Sequence, residues 1–274
     1  MLLEGINRGG LDPAGIRVDN GGALMNSWLR RLLPIAAVLS TAGVILANQV
    51  GAMAYTSGAT GYDISYPQCG AAYPTGSFGI VGVNGGYPFV YYNPCLADEY
   101  SHTPNAALYI NTGYDPIYTQ VDGKHTLPEC VTQAAAIQGT SPQQAAWAVG
   151  CSEASRSIAY ATSKGATSPS SWWLDVETSN SWSSTDLSLN QYTLQGIIDT
   201  LLRQSPAAIG LYSTSYQWHQ IIGNLSVSGV LADWVATGLS SAGRARAYCG
   251  TGFSGRPVWF VQYLHGGFDT DYTC

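Results

Sequence analysis

The chain has 274 residues, of which 46% are hydrophobic but only 10% charged, and its formal net charge is −6. That length suits one large domain, and with no Lys/Arg cluster to neutralise phosphates the sequence argues against nucleic acid or an anionic lipid surface as partner. Gly (32), Tyr (18) and Trp (8) are abundant instead, and such a neutral, aromatic surface suits a sugar, although composition alone fits a Lys-poor exported protein equally well.

From the N-terminus, residues 1–24 are polar and Gly-rich without helical or strand periodicity, and are expected to be a non-structural upstream segment with translation starting at Met25. Residues 25–54 have the layout of a secretory signal: Arg30 and Arg31, an apolar run from Leu32 to Ala47, then the small-residue site Ala52-Met53-Ala54. The run contains Pro34 and is shorter than the ~20 residues a spanning helix needs, so cleavage after Ala54 is expected rather than anchoring. The mature chain, 55–274, is then a secreted monomer without stable membrane insertion, extracellular or associated with the cell wall.

All six cysteines, Cys69, Cys95, Cys130, Cys151, Cys249 and Cys274, lie beyond that site, and an even count in an exported chain predicts three disulfides. No Cys-x-x-Cys or His pair stands at ligand spacing, so no metal is expected. Sequence does not decide the connectivity; near neighbours are expected to pair, Cys69 with Cys95, Cys130 with Cys151 and Cys249 with Cys274.

Along the mature chain, short β-rich apolar runs alternate with helical ones. Strands are expected over 60–65, 78–84, 107–112, 172–177, 208–213, 231–236 and 258–263, and helices over 142–164, 189–204 and 217–222. This order predicts an α/β fold: a single, disulfide-stapled, irregular TIM-type (β/α) barrel.

The strand around Asp175 is the most informative. Residues two apart on a strand share a face, so Asp175 and Glu177 project together at the C-terminal end of a parallel strand, where barrel enzymes assemble their sites. Two close carboxylates raise one another's pKa, and a protonated acid at neutral pH can serve as a general acid. Asp-x-Glu alone is a weak signal that also describes two solvated acids at a strand end. Asp63 ends the first strand, and Asp269 and Asp271 follow the last one. Ring closure would bring these acids to the middle pair, an arrangement suited to an oxocarbenium-like transition state. Trp172 and Trp173, being adjacent, should face opposite sides of the strand. For Tyr114, Tyr212, Trp234 and Tyr263, all near strand ends, sugar stacking and packing are equally open.

In these segments the chain resembles the glycoside hydrolase family 25 lysozymes (muramidases) and a glycoside hydrolase-like sister group of exported bacterial proteins. Gly61-Tyr62-Asp63-Ile64-Ser65 is similar to that family's first strand, Leu174-Asp175-Val176-Glu177 to its central one, and Leu211-Tyr212-Ser213 and 231–236 to later ones. Residues 258–263 followed by Phe268-Asp269 resemble its ending. The resemblance implies hydrolysis of β-1,4 bonds of peptidoglycan or a related amino-sugar glycan, without cofactor or metal. It makes Glu177 the general acid, gives Asp175 an assisting role at the acetamido group or the developing charge, and has Asp63 and Asp269 hold the sugar and tune Glu177. Asp271, Tyr114, Tyr212, Trp234 and Tyr263 are the expected substrate-binding residues; the family often has Asn at the position of Asp271. Asn84-Gly85-Gly86 and Asn111-Thr112-Gly113 depart from the family pattern. The rival reading is a catalytically silent glycan-binding or wall-associated barrel. A serine or cysteine hydrolase is not expected: no Gly-x-Ser-x-Gly elbow exists, and the thiols are expected to be oxidised.

Overall fold

A computed structural model describes residues 55–86, 88–89, 91–115 and 126–274. The expected signal segment and the residues before it lie outside them. Eight strands close into a barrel: β1 (Thr60–Ile64), β2 (Gly79–Gly82), β3 (Ala107–Asn111), β4 (Ser171–Asp175), β5 (Ala208–Ser213), β6 (Ala232–Ala236), β7 (Val258–His265) and β8 (Phe268–Thr273). Strands β1 to β7 pair in parallel, whereas β8 runs antiparallel between β7 and β1.

The expectation that Asp269 and Asp271 follow the final strand is corrected here, because both sit within β8. Its hairpin with β7 turns through Gly266 and Gly267, at φ +63° and +86°. That pair of positive φ angles suits a tight turn matched to strand twist and is costly for residues other than glycine.

The helices are α1 (Leu96–His102), α2 (Pro128–Ala134), α3 (Ser141–Ser163), α4 (Leu187–Gln204), α5 (Ser215–Ile222) and the short α6 (Ala242–Ala245). Local chemistry starts the two long ones. Gln143 Oε1 accepts from Thr140 N at 2.8 Å ahead of α3, and Asp186 Oδ1 accepts from Ser188 N at 3.0 Å ahead of α4. Between β1 and β2 stands only one turn of 3-10 helix, Tyr66–Gln68, and this short connection makes the barrel irregular. Among the described residues no helix is long and apolar enough to cross a membrane.

Helices α3 and α4 cross at two glycines. A Cβ on Gly196 would lie 2.1 Å from Trp147 O, and one on Gly150 would lie 1.9 Å from Thr193 O. Backbone cannot yield as a side-chain tip does, so Gly196→Ala should destabilise the fold by about 1–3 kcal/mol despite its higher helix propensity. Urea unfolding checks this; an unchanged or higher midpoint contradicts so close a crossing.

Strand alternation divides the core in two. Trp173 packs inside the barrel with Phe78, Trp234 and Phe260, whereas Trp172, Leu174 and Val176 pack against the helices. Three disulfides staple the periphery: Cys69–Cys95, Cys130–Cys151 and Cys249–Cys274.

Candidate active site

The same alternation aims Asp175 inward, two residues beyond Trp173 and at the mouth where the parallel strands end. Opposite, Asp63 of β1 pairs across the sheet with Asp269 of β8. Because β8 runs antiparallel, its first residues lie at the mouth and its later ones deeper. Asp63, Asp175, Glu177 and Asp269 all line one pocket of about 290 Å³, together with Tyr109, Asn111, Tyr212, Trp234 and Gln262. Other described acids, such as Glu99 and Asp233, are buried elsewhere.

Asp271 is not at the surface of the pocket. It is fully buried beneath it, and Trp234 Nε1 donates to its Oδ1 at 2.8 Å. Its Oδ2 has no hydrogen-bond partner, and the nearby Asp63 charge adds to the effect of burial on it. Burial is the main reason both pKa values rise, and that of Asp63 is pushed up to about 8, with the Asp269 charge adding to it and the Gln262 amide opposing it. Gln262 Nε2 donates to Asp63 Oδ2 at 2.9 Å, and Gln262 Oε1 accepts from Tyr212 Oη at 2.8 Å. Asp271, expected among the substrate-binding residues, thus lies beneath the pocket and does not line it.

Asp175 is buried with Oδ1 unpartnered. Burial first, then the charges of Glu177 and Asp63, raise its pKa well above the ordinary carboxylate value. Glu177 lies just past the end of β4 and is only half-buried. Its turn is pinned by Trp182 Nε1, which donates to Glu177 O at 2.8 Å, and by Gln217, whose Oε1 accepts from Thr178 N at 2.6 Å. Burial raises the Glu177 pKa, a 3.4 Å hydrogen bond from Gln217 Nε2 opposes the rise, and the Asp269 charge adds to it. Glu177 thus feels the charge of Asp269 across the barrel mouth, and its own charge raises Asp175.

Of the aromatics, Tyr212 and Trp234 line the pocket, their ring centroids 4.4 Å apart. Trp234 is 2% exposed and forms a floor rather than a platform. Tyr114 and Tyr263 are corrected: neither lines the pocket. Tyr263 points to the outer side of β7, against Val235 and Ala245. Tyr114 lies buried past β3, its N–H donating to Ser181 O at 2.8 Å. Gln262, Gln217 and Asn111 are the site residues that sequence reasoning passed over. For Gln262 a signal existed, because it shares the inward face of β7 with Phe260. Among the described residues no group of three His, Cys, Asp or Glu side chains is placed to hold a metal ion.

These acids make stability depend on pH. An acid that stays protonated in the fold but ionises near 3.8 in the unfolded chain makes unfolding release a proton. Stability is therefore highest below that value, falls as pH rises toward about 8, where Asp63 ionises, and levels off above. The Tm should drop between pH 4 and 8, and Asp271→Asn, which keeps the Trp234 bond and removes one buried acid, should raise Tm more at pH 8 than at pH 4. A Tm that climbs with pH, or a variant offset equal at both, would contradict this electrostatic picture.

Residues 141–241 match the family model described as Lys-1, lysozyme-like protein 1. Over that stretch the sequence is similar to that family, and the match covers less than half of the chain. The lysozyme-like stretch contains β4 with Asp175, the Glu177 turn, β5 and β6. Solved structures similar to this chain include the catalytic domain of endolysin ply40 from bacteriophage P40 of Listeria monocytogenes, 15% identical over 80% of this chain and 95% of that one, with TM-score 0.44. The bacterial lysozyme of Streptomyces coelicolor is 17% identical over 80% of this chain and 93% of its own, also at TM-score 0.44. The muramidase of Trichobolus zukalii is 16% identical over 78% and 93% of the two chains, at TM-score 0.44. No curated protein matches the chain significantly.

Proposed function

We propose that the protein is an exported glycoside hydrolase that cleaves the β-1,4 bonds of cell-wall peptidoglycan, between N-acetylmuramic acid and N-acetylglucosamine. One observation carries this reading: carboxyls from β1, β8, the end of β4 and the turn beyond it line one pocket at the barrel mouth. Gathering acids in this way costs stability, so a chemical use is the natural account of it. The lysozyme-like match over 141–241 supports the same class, and three disulfides among six cysteines fit an oxidising, extracellular location.

In this mechanism Glu177, its pKa raised, donates its proton to the glycosidic oxygen as the bond to the anomeric carbon breaks. Positive charge develops on the sugar ring, and the charge of Asp269, which acts on both Asp63 and Glu177, is placed to stabilise it. Asp175, buried with one oxygen unpaired, is suited to accept from the N–H of the acetamido group. Asp63, held by Gln262, and Asp269 bind the sugar hydroxyls, and water adds its hydroxyl to the anomeric carbon while its other proton returns to the Glu177 carboxylate.

The test is to incubate the oxidised protein with purified peptidoglycan and, separately, with a chitin oligomer, and to identify new reducing ends by mass. New N-acetylmuramic acid reducing ends are expected from peptidoglycan. Release from neither substrate contradicts the proposal.

A further inference from the structure

The turn Asn84-Gly85-Gly86, one of the chain's departures from the family it resembles, has a physical reason in the structure. Tyr66, on the 3-10 turn after β1, and Tyr91, on the loop after β2, meet with ring centroids 5.8 Å apart at an interplanar angle of 87°. Both are exposed, at 38% and 43%. A Cβ on Gly85 would lie 1.9 Å from the Tyr91 ring, and one on Gly86 would lie 3.2 Å from that of Tyr66. Each glycine is thus the seat of one ring, and a side chain at Gly85 would displace Tyr91 outright.

The two rings are also held from behind. Gly85 N donates to Tyr91 O at 2.8 Å, and Asn93 N to Val83 O at 2.9 Å, so the loop folds back on its own base. The Cys69–Cys95 disulfide then joins the segment that carries Tyr66 to the end of the loop that carries Tyr91. These solvent-facing rings are seated by glycines, and a covalent bond links the segments that carry them. The pair is continuous with the acidic pocket, because Tyr66 and Gly86 line it.

We infer that Tyr66 and Tyr91 form a sugar-stacking wall, an additional binding site beside the acidic pocket that takes the apolar C–H face of a further hexosamine in the same glycan strand. The perpendicular arrangement lets one ring present its face to the sugar while the other supports it edge-on. This rests on the glycan reading above and adds to it where an extended strand leaves the pocket.

The experiment measures calorimetric binding of N-acetylglucosamine–N-acetylmuramic acid oligomers of two and of six sugars to the oxidised protein carrying Glu177→Gln to suppress turnover. Adding Tyr66→Ala or Tyr91→Ala should weaken binding of the six-sugar oligomer about fivefold to tenfold. Binding of the two-sugar oligomer should not change with Tyr91→Ala and should fall less than that of the six-sugar oligomer with Tyr66→Ala, because Tyr66 lines the pocket, and Tyr66→Phe and Tyr91→Phe should keep the parent affinity for both. Unchanged six-sugar affinity in the alanine variants overturns the wall, as does an equal loss for both lengths or an equal loss in the phenylalanine variants. A parent protein that binds neither oligomer overturns the glycan reading and the wall with it. Length-dependent binding in the parent that is insensitive to both tyrosines overturns the wall alone.

Discussion

Glu177→Gln should lower kcat on peptidoglycan by about 10²–10⁴-fold while leaving glycan affinity and Tm nearly unchanged. The amide keeps the shape and can still meet Gln217, but it has no proton to give to a departing sugar oxygen. The loss should therefore depend on the leaving group. A glycoside with an acidic phenol as leaving group needs little protonation, and the variant should recover a large share of activity on it. Asp175→Asn should also slow the reaction, but without that recovery, because its role is to position the sugar and stabilise charge. Full residual activity of Glu177→Gln on peptidoglycan would remove Glu177 as the acid.

Trp173→Ala should cost about 3–5 kcal/mol of stability, at the upper end for a single core truncation. Trp173 is fully buried in the barrel interior, with ring centroids 5.0 Å from Phe260 and 5.8 Å from Trp234. Its Nε1 donates to Ser171 Oγ at 2.8 Å, and Gly210 leaves room for its ring edge, since a Cβ there would lie 2.2 Å from it. Nothing nearby can fill the cavity, because the surrounding rings are fixed by one another. The damage should reach the chemistry, because Trp234 both packs on Trp173 and donates to Asp271, which lies beneath the pocket and interacts electrostatically with Asp63. Denaturant unfolding measures the stability loss; a change below about 1 kcal/mol would contradict this account of the core.

Much of the site was legible because strand period is strict. Asp175 ends β4 with its side chain in the pocket, whereas Glu177, expected on the same strand, lines the pocket from the turn past the strand's end; the adjacent Trp172 and Trp173 divided between helical layer and interior as expected. Strand β8 was not legible, since Asp269, Thr270, Asp271 and Thr273 give it a polar content that reads as loop. Its inward face is polar because it faces the acids of the site, and Gly266-Gly267 was the available sign of a hairpin. Depth was hidden as well. Strand period alone does not separate Asp269 at the mouth from Asp271 below it, because that difference follows from the antiparallel direction of the strand. The choice of Tyr263 over Gln262 favoured an aromatic side chain over the face it occupied, and the face decided the outcome.

The central claim is that distant acids gather closely enough to keep Glu177 protonated beyond its ordinary range. Carboxyl-carbon NMR titration of Glu177 in the free protein tests this most directly. The account predicts a pKa above the ordinary glutamate value, lowered by Asp269→Asn, which removes a neighbouring charge, and raised further by Gln217→Ala, which removes the hydrogen bond favouring the anion. An ordinary glutamate titration that neither substitution moves would contradict it.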